Sequence, residues 1–166
     1  LPPPTLQDNV DDKERLLREV RRGKQVPPIH TGLENLKNLG RFLRENNWDI
    51  TVLLGNHEGV IELIQMEAGD TSGQNYGVAV DIGTTTIVAH LVDLSNRKTI
   101  DIDAISNSQS NYGADVISRI IYALGKKGLD ELHKSVVDDV NRLIVSLTQE
   151  NKININDITC VLCSGN

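Results

Sequence analysis

The residues best suited to chemistry lie within Gly77 to Asp93, GVAVDIGTTTIVAHLVD. An apolar run, Val78-Ala79-Val80, leads into Asp81, then Gly83, then three threonines, then a second apolar run from Ile87. This order predicts a strand, a tight turn and a returning strand, with a glycine where the backbone bends most closely. The tip gathers the N–H and hydroxyl groups of Gly83, Thr84, Thr85 and Thr86, donors suited to the oxygens of one small anion. Asp81 at the strand end could hold a hydrated magnesium ion beside it, since that ion keeps most of its water and takes few carboxylates. Two readings compete. Asp81 could instead cap the turn by accepting a backbone N–H, and the threonines could be there because β-branched residues suit strands. The Walker pattern GxxxxGK[ST] is absent.

A second cluster follows, Asn107, Gln109, Tyr112, Gly113, Asp115 and Arg119. Read plainly, it is a loop and a helix start, with Asp115 and Arg119 an exposed ion pair four residues apart. Cys160 and Cys163 form a Cys-x-x-Cys inside ITCVLC, which reads as a buried strand. Residues three apart on a strand face opposite sides, so the thiols should not converge on a metal, and no second pair completes a zinc site. None of His30, His57, His90 and His133 has a neighbour at metal-ligand spacing.

The elements that position these residues can be read from pattern. Residues 1–9 are proline-rich and extended. A helix is expected from Asp11 to Arg22, acidic at its start, basic at its end and closed by Gly23. Thr31 and Glu34 give a capping-box signature for a helix to Asn46, with Leu33, Leu36, Leu39 or Gly40, and Leu43 on its apolar face. Strands Trp48–Leu54 and Val60–Gln65 flank a five-residue loop, Gly55 to Gly59. A polar stretch, Gly69 to Ser72 with Gly73, marks a boundary. Strands 77–82, 86–94 and 99–106 follow, then helices Ala114–Leu124 and Leu129–Asn151, and a last strand, 158–163. If the strand after the turn begins early, alternation puts the Thr84 and Thr86 hydroxyls on one side. The division expected is 1–30 linker with a short helix, 31–73 small α/β domain, and 74–166 the truncated start of a larger domain.

The chain has 166 residues, net charge −6 and 3% aromatic residues. With no basic stripe and few stacking platforms, nucleic-acid binding is not expected. No apolar run reaches the roughly 18 residues of a membrane span, and two cysteines in this context suit a reducing cytoplasm. The opening Leu1-Pro2-Pro3-Pro4 and the end just past Cys163 read as a fragment of a longer protein.

DIGTTT between two strands resembles the first phosphate motif of the acetate kinase, sugar kinase, chaperone and actin superfamily. NYGVAVDIGTTTIVAHLVDL, followed by NSQSNYGADVISRIIYAL and VLCSGN, is more specific and resembles the ATP-dependent reductive activators of corrinoid proteins. The resemblance implies an α/β fold: a small helix–hairpin module, then an incomplete ribonuclease-H-like half of an actin-like ATPase domain. It implies ATP and Mg2+ as ligands, Asp81 as the catalytic and metal-holding residue, and Gly83, Thr84, Thr85, Thr86, Gly165 and Asn166 around the phosphates. The 107–119 segment would lie on the cleft side of the same half. A 2Fe-2S cluster would belong to a ferredoxin-like domain outside these residues, because two cysteines cannot hold one. The implied activity is support of cob(II)alamin reduction to cob(I)alamin on a corrinoid protein in methyl transfer, with a homodimer as the working form. A small-molecule kinase of the superfamily, acting on a sugar or carboxylate, is the alternative.

Overall fold

A computed structural model describes residues 1–23 and 25–165, with only the backbone of His57. The elements run α1 (Asp12–Val20), β1 (Ile29–Thr31), α2 (Leu33–Glu45), β2 (Ile50–His57), β3 (Val60–Ala68), β4 (Tyr76–Ile82), β5 (Thr86–Asp93), β6 (Lys98–Ser106), α3 (Val116–Ala123), α4 (Gly128–Glu150) and β7 (Ile158–Gly165). They form two compact units, 1–73 and 74–166, each with its own sheet. The chain is therefore a mixed α/β protein.

In the first unit the sheet order is β1-β3-β2, β1 parallel and β2 antiparallel to β3. Its core joins Leu16 and Leu17 of α1 to Leu39 and Leu43 of α2, with Ile29, Trp48 and Leu63. Helix α1 forms where expected, and the Asp11 carboxylate accepts the Glu14 N–H at 2.9 Å as its cap. The capping box at Thr31 does not form. Thr31 instead pairs with Leu63 as the end of β1, leaving Gly32 to cap α2 without a side-chain bond. That strand depends on a partner 32 residues away (Thr31 to Leu63), which no local pattern reveals. Leu33 and Leu36 are exposed, so the apolar face of α2 is narrower than its spacing implied. The β2–β3 hairpin closes on two residues, Glu58-Gly59, both at positive φ, rather than on five. His57 thus ends β2 and pairs with Val60.

Buried Arg15 and exposed Arg18 converge on Asp8, at 2.8 and 2.7 Å. The Arg18 hydrogen bond, then that of Arg15, holds the Asp8 carboxyl at about 2. A carboxylate with a folded-state pKa below its ordinary 3.8 stabilises the fold at higher pH and loses that contribution as pH falls towards about 2. In denaturant titrations across pH, Asp8→Asn is expected to weaken the fold near neutrality and flatten the acid limb between those two values. Parallel acid limbs for the two proteins would contradict this.

The second unit has sheet order β6-β5-β4-β7, three antiparallel strands with β7 added parallel to β4. This is the strand arrangement expected of a ribonuclease-H-like half. Val78 and Val80 of β4, Ile87, Ala89 and Leu91 of β5, and Leu143 and Leu147 of α4 form its core. Alternation along β4 and β5 gives this face its period of two, and α4 covers it with Leu143 and Leu147. The strand ITCVLC is correctly placed in β7 but is not buried. Among the described residues β7 is a sheet edge, and both cysteines are exposed. Register sets Cys160 beside Gly77 and Cys163 beside Val80, so the thiols do face opposite sides.

Candidate functional site

The turn after β4 is a two-residue tip, Thr84-Thr85, closed by the Gly83 N–H donating to the Thr86 carbonyl at 3.0 Å. A Cβ at Gly83 would lie 2.8 Å from that same oxygen, which explains the glycine sterically. The Gly83 amide is therefore committed inside the turn and is no free donor. The N–H groups of Thr84 and Thr85, and all three threonine hydroxyls, have no acceptor among the described residues. Strand β5 begins at Thr86, so alternation does not tie Thr84 to Thr86.

Asp81 is exposed and its carboxylate has no hydrogen-bond partner among the described residues, so the capping role is not the one it plays. Alternation turns Asp81 to the sheet face opposite α4, while Ile82 packs against the α4 core. Parallel pairing brings the end of β7 to the end of β4, with Ser164 beside Asp81 and Gly165 beside Ile82. A Cβ at Gly165 would meet the Ile82 carbonyl at 3.2 Å, so glycine permits the close approach. The strand ends and turn thus gather Asp81, Thr84, Thr85, Thr86, Ser164 and Gly165. Asn166 lies outside the described residues. Ser164 was not singled out from sequence, because only inter-strand register places it there.

The arrangement suits an anion with a hydrated cation. Open backbone donors and hydroxyls are groups of the kind that bind phosphate oxygens, and an unpaired carboxylate at a strand end is compatible with the sparse protein ligation of magnesium. No group of three or more His, Cys, Asp or Glu able to hold a metal occurs among the described residues.

The second cluster is built differently from its plain reading. Asp115 caps α3, accepting the Ser118 N–H at 2.8 Å in a reciprocal capping box, and that bond draws its pKa down. Arg119 is not an exposed partner of Asp115 but is 8% exposed, its Nε donating to the Gly113 carbonyl at 2.9 Å. A Cβ at Gly113 would strike the Ser118 side chain and Arg119 backbone, which fixes glycine there. Tyr112 packs on Tyr122, ring centroids 5.0 Å apart, so it braces α3.

Between the turn and α3 and α4 lies a cleft of about 480 Å³. Thr84, Asn107, Gln109, Arg119 and His133 line its polar part, and Val116, Ile120, Leu129 and Leu132 are among its apolar walls. Helix α3 also exposes apolar residues outside the cleft lining, with Ile117 71% and Ile121 65% exposed.

The profile of the RACo middle region matches residues 76–166, and that of the RACo linker region matches residues 1–73. The corrinoid activation enzyme RamQ of Eubacterium limosum is 33% identical over 92 residues, covering 55% of this chain and 16% of that protein. A solved reductive activator for corrinoid, iron-sulfur protein is 35% identical with TM-score 0.83, covering 100% of this chain and 26% of that one. The chain thus spans about a quarter or less of these relatives' length. With linker and middle regions matched in their order along the sequence, the chain belongs to the RACo family.

Proposed function

We propose that this chain is the linker and middle part of an ATP-dependent reductive activator, which supports reduction of cob(II)alamin to cob(I)alamin on a corrinoid protein. The observation that carries this reading is the likeness to the solved activator along the whole chain at TM-score 0.83. In this reading residues 74–166 present the Asp81–Thr86 turn and the β7 end to the phosphates of magnesium-bound ATP. Asp81 orients the hydrated metal, and the open Thr84 and Thr85 amides hold phosphate oxygens. Bound nucleotide supplies the free energy, and a two-iron, two-sulfur cluster borne outside these residues supplies the electron. The kinase alternative is the weaker one, since the relatives matched are corrinoid activators.

The partner is a corrinoid protein, met by the exposed apolar face of α3 next to residues 107–119. The helix–hairpin module, 31–73, serves self-association into a homodimer. The acidic balance of the chain gives a nucleic acid no counter-surface, and a cytoplasmic setting suits the exposed free thiols. No helix among the described residues is long and apolar enough to cross a membrane.

The test uses the intact protein, a cob(II) corrinoid protein and a low-potential reductant, followed by visible absorbance. ATP-dependent conversion to cob(I) is expected, with none when ATP is omitted. Phosphorylation of a sugar or carboxylate with no change at the corrinoid would establish the kinase instead.

A further inference from the structure

Beyond its own Gly83–Thr86 bond, the turn that carries Thr84 and Thr85 is held from outside. Its Gly83 carbonyl accepts the Asn107 Nδ2–H at 2.9 Å, and its Thr85 carbonyl accepts the Asn107 backbone N–H at 2.8 Å. Asn107, 1% exposed, is the first residue after β6, the far strand of the meander. It is fixed in turn: its Oδ1 accepts the Gln109 N–H at 2.9 Å, the cap of the 3-10 turn Ser108–Asn111. The next residue, Ser108, is gripped by α4. The Asp139 carboxylate accepts the Ser108 N–H at 2.7 Å and its hydroxyl at 2.8 Å, while Arg142 pairs with the same carboxylate. Asp139 is 1% exposed and sits on the buried stripe of α4, four residues before Leu143. Gln109 completes the brace, its Nε2 donating to the Leu132 carbonyl of α4 at 3.1 Å.

A carboxylate buried on a largely apolar stripe is unfavourable unless it is paired and hydrogen-bonded, and Asp139 is both. Its bonds hold the segment that braces the turn from outside. We infer that Asn107 and Asp139 are positioning residues: Asn107 sets the height and tilt of the Thr84-Thr85 tip, and Asp139 anchors Asn107 to α4 through Ser108. Neither touches the phosphates. They hold the backbone of the tip in one geometry before the anion arrives, the preorganisation on which electrostatic stabilisation depends. The inference rests on the phosphate-binding reading of the turn. It adds that α4 sets the turn's geometry.

The test compares Asn107→Ala, Asp139→Asn and Asp81→Ala in the intact protein by ATPase kinetics, unfolding midpoint and hydrogen exchange of the peptide spanning the turn. Loss of the bond to the Gly83 carbonyl, together with the cap on the Gln109 N–H, predicts a fall of about tenfold or more in kcat/KM for Asn107→Ala, in the range expected for broken buried hydrogen bonds. Asp139→Asn keeps its shape and one acceptor, so a smaller fall in the same direction is expected. Exchange should quicken at the turn and not at Leu143 and Leu147. Wild-type kcat/KM in both positioning variants, with Asp81→Ala inactive, would overturn the inference and leave the phosphate turn standing. Activity lost only in proportion to global stability, with exchange raised equally in the α4 core, would also overturn it, since the residues would then be plain structural supports. Full activity in Asp81→Ala would remove the phosphate reading and the inference together. Should Asn107→Ala fail to fold, Asp139→Asn with the exchange measurement decides alone.

Discussion

Asp81→Ala in the intact protein is expected to abolish ATP turnover while leaving the fold nearly unchanged. The side chain is exposed and makes no hydrogen bond among the described residues, so its removal leaves no cavity and no orphaned partner. What it removes is a carboxylate at the ends of two parallel strands, where a metal-bound phosphate would meet it. Loss of metal positioning commonly removes several kcal/mol of transition-state stabilisation, which is about two to three orders of magnitude in rate. Far-ultraviolet dichroism and the unfolding midpoint should match the parent protein. Ordinary turnover with ordinary magnesium dependence would show that Asp81 serves neither metal nor phosphate.

Gly83→Ala should do comparable damage by a different physical route. The added methyl would sit 2.8 Å from the Thr86 carbonyl oxygen, a backbone atom that cannot swing aside as a side-chain tip could. That oxygen is also the acceptor of the Gly83 N–H, so relief of the clash breaks the bond that closes the turn. The Gly83 carbonyl would shift with it and loosen its bond from Asn107. The expected result is a loss of roughly 100-fold in kcat/KM for ATP, as binding and transition-state contacts fail together. Stability should fall by about 1–3 kcal/mol, the range for local overpacking, with the β4–β5 core retained. Both are measured on one preparation by steady-state kinetics and denaturant unfolding. Unimpaired turnover would mean that the tip geometry does not matter to the chemistry.

Local pattern was enough for most of the elements. The two apolar runs around DIGTTT and the macrodipole pattern of α1 place these segments to within a few residues, because such signals are written in neighbours along the chain. The tip residues and Asp81 were legible for the same reason: one short segment holds them all. Arg119 misled, since an i, i+4 acid–base pair on a helix normally faces water, whereas here the Gly113 and Gln109 oxygens draw the guanidinium inward. A sequence clue to Asp139 did exist, a carboxylate at helical spacing from Leu132, Leu143 and Leu147 where an apolar residue belongs.

The sequence by itself determined the class of this protein: strands and helices of a mixed α/β fold, a tight Gly-Thr turn, and motifs of a corrinoid-activator family. Those depend on side-chain type and short spacing, which survive without coordinates. Only the tertiary structure decided which groups surround the turn. Asn107 reaches Gly83 across 24 residues, Ser108 reaches Asp139 across 31, and Ser164 lies beside Asp81 through strand register. Exposure of Cys160 and Cys163 was likewise a matter of sheet order, because the same apolar strand is core in the middle of a sheet and surface at its edge. Such pairings are set by how sheets and helices stack, since a hydrogen bond or a buried face is a relation between distant segments and has no signature in either one alone.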